Sequence, residues 1–117
     1  MSQAVCHCRN CQRQSGTAFS VLLVVPTVAL LVQGQTTVYQ DRGDSGAEVA
    51  RHFCNHCGSS LFTALPSRPD VRFIKAGTLD DPSFMAPKLH VWCASAWHST
   101  VIPDDATVFL WGPSKGV

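Results

Sequence analysis

The residues best equipped for chemistry are the cysteines, and their spacing decides which chemistry. Six cysteines stand in a chain of 117 residues; five are clustered, Cys6, Cys8 and Cys11 in Cys-His-Cys-Arg-Asn-Cys and Cys54 and Cys57 in Cys-Asn-His-Cys-Gly, with Cys93 alone. Disulfide scaffolds scatter cysteines, whereas zinc sites draw pairs from tight turns about two to four residues apart. Cysteines at C-x-C spacing rarely reach the Cα separation and Cβ directions that a disulfide needs. Zinc ligation is therefore the preferred reading, ahead of a redox dithiol or inert thiols. Gly58, directly after Cys57, fits a knuckle that needs φ > 0. Three thiolates at Cys6, Cys8 and Cys11 leave a fourth zinc position open, the pattern of a reactive site. Because three thiolates more than cancel the charge of Zn²⁺, such a site activates water poorly and favours ligation of a further soft thiolate.

These clusters must be held by strands. Between them the apolar pattern is continuous or has period two: Phe19 to Val25, Val28 to Val32 after the Pro26-Thr27 break, and Gly34 to Gln40 read as strands. Ala47 to Phe53 enters the second cysteine pair and Ser60 to Ala64 leaves it, so that pair caps a hairpin. Val71 to Ala76 and Leu89 to Ala94 add two more, and Thr107 to Trp111 an edge strand, with the last residues expected to fray. The one predicted helix crosses Arg9 to Gly16, where Gly16 stops it. Six or seven short strands punctuated by Gly and Pro predict an all-β domain of two small antiparallel sheets meeting at the metal-bearing end.

Composition narrows the function. Nine basic residues against eight acidic, a formal charge of +1, leave no electrostatic footprint for a nucleic-acid partner. The longest apolar stretch, Ala18 to Val32, is too short for a bilayer core of roughly 30 Å once its Ser20 and Pro26 interruptions are counted, so no membrane role is expected. Met1-Ser-Gln-Ala-Val resembles no export signal, and the expected compartment is the cytoplasm, which keeps thiols reduced.

Taken together, Cys6-His-Cys-Arg-Asn-Cys-Gln-Arg-Gln-Ser-Gly-Thr-Ala-Phe, Phe53-Cys-Asn-His-Cys-Gly-Ser-Ser-Leu, Ala76-Gly-Thr-Leu-Asp-Asp-Pro and Pro87-Lys-Leu-His-Val-Trp, with Trp97 following, resemble the glutathione-dependent formaldehyde-activating enzyme family, which includes centromere protein V-type members. The resemblance implies one β-tent domain over residues 1–117, two antiparallel layers pinned by zinc. It implies a catalytic-type zinc on Cys6, Cys8 and Cys11, and half of a structural site at Cys54 and Cys57. In the family an upstream C-x-C segment supplies the other half; here the chain begins five residues before Cys6, so the domain is expected to lack it. The half-site could stay incomplete, merge with Cys8 and Cys11 into one four-thiolate site, or recruit His52, His56 or Cys93. The implied reaction is that of a carbon–sulfur lyase resembling S-(hydroxymethyl)glutathione synthase: a small thiol such as glutathione adds to an aldehyde such as formaldehyde, or the adduct is cleaved. Arg13, the basic residue soon after the third cysteine, is the candidate cation for an anionic thiol. The alternatives are a non-catalytic zinc-binding interaction module and a redox protein using Cys93.

Other residues draw plainer expectations. His7 and His56, each between two ligands, are expected to point to solvent. Alternation puts Leu89, Val91 and Cys93 on one face, which makes Cys93 a buried core thiol, while His90 and Trp92 pack on the sheet. Asp80 and Asp81, before Pro82, cap and turn the chain.

Overall fold

A computed structural model describes residues 1–112; the expected fraying of the terminal residues concerns positions outside that range. In chain order the elements are β1 (Ser2–Cys6), α1 (Arg9–Ser15), β2 (Ser20–Pro26), β3 (Thr37–Arg42), β4 (Glu48–Phe53), β5 (Ser60–Leu65), β6 (Arg68–Lys75), β7 (Leu89–Val91) and β8 (Thr107–Val108), with short 3₁₀ turns at Thr27–Ala29, Ala76–Thr78 and Cys93–Ser95. The all-β class and the single short helix agree with the sequence. Gly16 ends α1 in the left-handed region at φ 69°, its N–H returning to the Gln12 carbonyl, which is the stop signal expected of it.

The arrangement of the strands differs from expectation. Instead of two small antiparallel sheets, all of them join one eight-stranded sheet in the order β3-β4-β5-β6-β2-β1-β7-β8. The joint is β1, which sequence reasoning left unassigned: Cys6 lies opposite Ser20 of antiparallel β2 on one side and beside Val91 of parallel β7 on the other. Two of the pairings, β1 with β7 and β7 with β8, are parallel.

Two expected strands are also revised. Val28 to Val32 forms none: Pro26 has no N–H with which to continue the ladder, and the Thr27 hydroxyl diverts the chain by donating to the Pro69 carbonyl at 2.7 Å. The run instead turns out to solvent, Val28 and Leu31 being 97% and 80% exposed. In the run Leu89 to Ala94 pairing ends at Val91, because Trp92 takes φ 57°, the left-handed value at which a strand cannot continue. Among the described residues no helix is long and apolar enough to cross a membrane.

Since side chains alternate across a strand, the register fixes a common face. Ala4, Leu22, Phe73, Thr63, Arg51 and Val91, drawn from six strands, look into one cavity of about 900 Å³. Cys6, Cys8 and Cys11 lie in its wall, in a buried cluster with Leu22 and Val91 against which Phe73, Leu89, Trp92 and Phe109 pack.

Candidate metal centre and its cavity

The three cysteines meet because a strand end and a helix start are joined by only two residues, His7 and Cys8. Cys6 is the last residue of β1. His7 extends the ladder by one bond, its N–H reaching the Val91 carbonyl at 3.0 Å. Cys8 then caps α1, its backbone still extended and its Sγ accepting the Cys11 N–H at 3.2 Å. Cys11 follows within the first turn. The three sulfur atoms all lie within 4.8 Å of one another, and each residue is buried.

Three soft sulfur donors at this separation, shielded from water, suit a thiophilic ion such as zinc. The protonation pattern agrees with a shared site. Hydrogen bonds from Cys6 and Cys8 pull the Cys11 thiol down to about 3, with Lys75 and Arg51 adding attraction, while the hydrogen bond to Cys11 and then that to Cys8 push Cys6 far above the ordinary thiol value. One thiolate is thus retained by its two protonated neighbours, and a cation that displaced those protons would be held by all three.

The second cysteine pair forms the expected hairpin knuckle between β4 and β5. The Gly58 N–H reaches the Cys54 carbonyl at 2.7 Å, the Cys54 N–H reaches the Ser59 carbonyl at 2.9 Å, and Gly58 has φ 80°. Cys54 is half-buried and Cys57 exposed. Among the described residues Cys6, Cys8 and Cys11 are the one group with three ligand atoms in reach of a common ion, so the structure does not bring Cys54 and Cys57 to Cys8 and Cys11, nor gather His52, His56 or Cys93 around them. His52 instead bonds Thr36 Oγ1 through Nδ1 at 2.7 Å and stacks on Phe62.

Arg13 lies on the exposed face of α1, bonded to Asn10 Oδ1 at 3.2 Å, and does not line the cavity. The cations that do are Arg51, Arg68 and Lys75. Arg51 is buried and donates through Nε to Asp41 Oδ2 at 2.7 Å. Burial works to raise the Asp41 carboxyl, but the Arg51 hydrogen bond and the Arg42 N–H outweigh it and hold the group below its usual range. Lys75 is buried too, and its ammonium donates to Ser20 Oγ at 2.8 Å, the residue directly opposite Cys6. Burial lowers its pKa, and the neighbouring cysteine trio, Cys11 first, pulls it partly back. Sequence reasoning passed over both residues, although a signal existed: alternation places Lys75 with Phe73 and Val71, and Arg51 with Val49, on faces otherwise apolar.

His7 does not point to solvent as expected. It is fully buried, its Nε2 2.9 Å from Nδ1 of His90 and its ring stacked on that of His90. The reason is topological: β1 is an interior strand, so the residue after Cys6 faces the opposite side of the sheet rather than water. Burial lowers the pKa of both rings, and His7 is further disfavoured as a cation by the His90 ring that it faces. His56 is exposed as expected, and the Asp81 carboxylate accepts the Ser83 N–H at 3.0 Å, as a turn residue should. Cys93 is half-buried at the start of a 3₁₀ turn, and burial raises its thiol; it does not share the Val91 face. Trp92 does, because its left-handed backbone interrupts the alternation and turns the indole into the cavity.

Gln12 is a further residue that motif reading missed. It is 4% exposed; its amide donates to the carbonyls of His7 at 2.8 Å and Ser95 at 3.0 Å, while Oε1 accepts from Trp97 Nε1 at 3.0 Å. One side chain therefore ties the cysteine loop, the helix and the segment after β7 together.

The family model for glutathione-dependent formaldehyde-activating enzyme matches residues 1–95, most of the chain and every strand except β8. The chain belongs to this family. Membership associates the domain with glutathione-related formaldehyde activation, and its buried cysteine trio could hold a metal ion.

Proposed function

We propose that this protein is a zinc-dependent enzyme of the carbon–sulfur lyase type, joining a small thiol of the glutathione kind to an aldehyde, or cleaving the adduct. The observation that carries the reading is the trio of buried sulfur atoms within 4.8 Å of one another in the wall of a cavity of about 900 Å³, in a chain of the formaldehyde-activating family.

Cys6, Cys8 and Cys11 would hold the ion. Zinc there would supply a soft fourth position at which a thiol stays deprotonated near neutral pH. The protein's own contribution is placement. Leu22, Phe73, Val91 and Trp92 exclude water from the sulfur atoms, which keeps a thiolate reactive and favours addition over hydration of the aldehyde. The substrate sulfur donates its electron pair to the carbonyl carbon, a carbon–sulfur bond forms, the carbonyl π pair moves to oxygen, and that oxygen takes the proton given up by the thiol. Cleavage reverses each transfer. Cys54 and Cys57 supply two thiolates of the four that a separate structural zinc would require.

The test is exchange NMR on zinc-loaded protein with glutathione and formaldehyde. Adduct formation faster than the spontaneous reaction, abolished in Cys11→Ser, is expected. Equal rates with and without zinc-loaded protein would remove the reading.

A further inference from the structure

The cavity is much larger than formaldehyde requires. At about 900 Å³ it lies near the top of the roughly 300–1,000 Å³ range that holds drug-sized ligands, whereas a formaldehyde adduct adds one carbon to its thiol. Its wall is also mostly aliphatic and aromatic, with Leu22, Val24, Phe73, Leu89 and Trp92 facing inward beside the cysteine trio. Against this apolar wall the charges are few and unequal: the lining carboxylate, Asp44, accepts the Arg9 backbone N–H at 3.2 Å. Arg51 is neutralised by Asp41 at 2.7 Å, and Arg68 lies 3.4 Å from Asp70. Lys75, 7% exposed, has a hydroxyl, Ser20 Oγ at 2.8 Å, and among the described residues no carboxylate. The negative charge it meets is that of the Cys11 thiolate, and with Ser20 Oγ taking one of its three N–H donors the ammonium has donors left for a ligand carboxylate. That ammonium sits opposite Leu22 and bonded to Ser20, so an anion placed on it lies beside the strand position of Cys6.

We infer that the cavity takes S-adducts of a carboxylated small thiol with an apolar aldehyde larger than formaldehyde, a carboxylate resting on Lys75 and the aldehyde-derived chain on Leu22, Val24, Phe73, Leu89 and Trp92. The inference rests on the lyase reading and names its substrate class. In the cleavage direction RS–CH(OH)R′ gives RSH and R′CHO: the carbon–sulfur bond breaks with its electron pair on sulfur, the hydroxyl oxygen forms the carbonyl, and its proton ends on the thiol, so no other reactant enters. Lys75 is a specificity residue here, and its charge selects the thiol half while the wall selects the aldehyde half.

Binding of unreactive S-alkylglutathiones, measured by calorimetry on the full chain with and without zinc, tests this apart from turnover. Each methylene removed from water by the wall is expected to tighten binding about fourfold, so S-hexylglutathione should bind at least about 30-fold more tightly than S-methylglutathione. Lys75→Met should weaken S-hexylglutathione about tenfold or more and leave its dimethyl ester within threefold, which also shows that the variant's cavity is intact; Lys75→Arg should keep most of the discrimination. Equal affinity for the methyl and hexyl probes, or equal loss for acid and ester in Lys75→Met, overturns the inference. Formaldehyde adduct exchange is scored separately: if it is absent while the binding series holds, the ligand class stands and the lyase reading falls.

Discussion

Replacing Gln12 with Met should loosen the cysteine site without touching a cysteine. The side chain is nearly isosteric and its burial is kept, so the change is confined to hydrogen bonding. Gln12→Met strips partners from the His7 carbonyl, the Ser95 carbonyl, the Trp97 indole N–H and the exposed Arg9 guanidinium, which water resolvates. These losses are unequal. His7 is wholly buried, so its carbonyl has no water to turn to, and an orphaned buried acceptor costs about 1–3 kcal/mol. Trp97 is 47% exposed and Ser95 half-buried, so water replaces most of what they lose, about 0.5 kcal/mol each. The sum is about 2–4 kcal/mol, a large share of the roughly 5–15 kcal/mol that holds a domain of this kind together. Urea denaturation of wild type and Gln12→Met, compared at equal slope, measures it. The same bonds fix the loop between Cys6 and Cys8, so metal affinity should fall about 10- to 100-fold, measured by competition with a chromophoric chelator. A stability change below about 0.5 kcal/mol together with unchanged metal affinity would refute the reasoning, for it would mean that the His7 carbonyl is satisfied in some other way.

The remaining predictions concern other parts of the fold. Asp41→Asn should destabilise by about 1–3 kcal/mol, since it leaves the buried Arg51 without its carboxylate. Because the folded Asp41 carboxyl lies below its ordinary value, the unfolded chain binds the extra proton first; the stabilisation is present above about pH 4 and is lost as pH falls through the lower folded value. Acid titration of unfolding should therefore show a smaller drop below pH 4 in Asp41→Asn than in wild type. Gly16→Ala should cost about 1 kcal/mol from backbone strain at φ 69°, not from a clash, as nothing lies within 4 Å of the added methyl; a neutral result in denaturation would count against the left-handed cap. In zinc-loaded protein, alkylation mapped by mass spectrometry should reach Cys57 first, as it is exposed and its thiolate is favoured by the Ser59 side-chain hydrogen bond, with Cys6, Cys8 and Cys11 becoming reactive only after chelation. Early labelling of Cys11 in the loaded state would contradict the three-sulfur site.

What could be read in advance was what depends on neighbours in sequence. The trio, its helix cap and the Gly16 stop lie within eleven residues, and the Cys54–Cys57 knuckle within one hairpin, so spacing alone determines them. Lys75, Arg51 and Gln12 could not be ranked the same way. Each is an ordinary polar residue until pairing over tens of positions turns it inward: Lys75 bonds Ser20, and Gln12 bonds Ser95. The burial of His7 has the same origin, because whether a residue between two ligands meets water depends on whether its strand is interior. The Val28 to Val32 run shows the converse. Its apolar composition fits a strand, but Pro26 and the Thr27 bond remove the pairing that would make it one, and an aliphatic run without a partner strand stays at the surface.

The interior position of β1 also determines the order in which the molecule can be assembled. The antiparallel strands β2 to β6 meet mostly through nearby hairpins, but Ala4 pairs with Leu89 and Cys6 with Val91, contacts between residues far apart in sequence that carry the largest loop-closure cost in the sheet. During synthesis the first ligand-bearing strand emerges early and must wait, paired on one side only, until β7 has been made. The three cysteines are close in sequence and could capture an ion well before then. A metal bound at that stage would hold the β1 to α1 corner in its final shape while one edge of β1 is still open, and would so act as a template on which the last strands dock. Refolding with zinc present from the start should then be faster in its slow phase than refolding with zinc added afterwards.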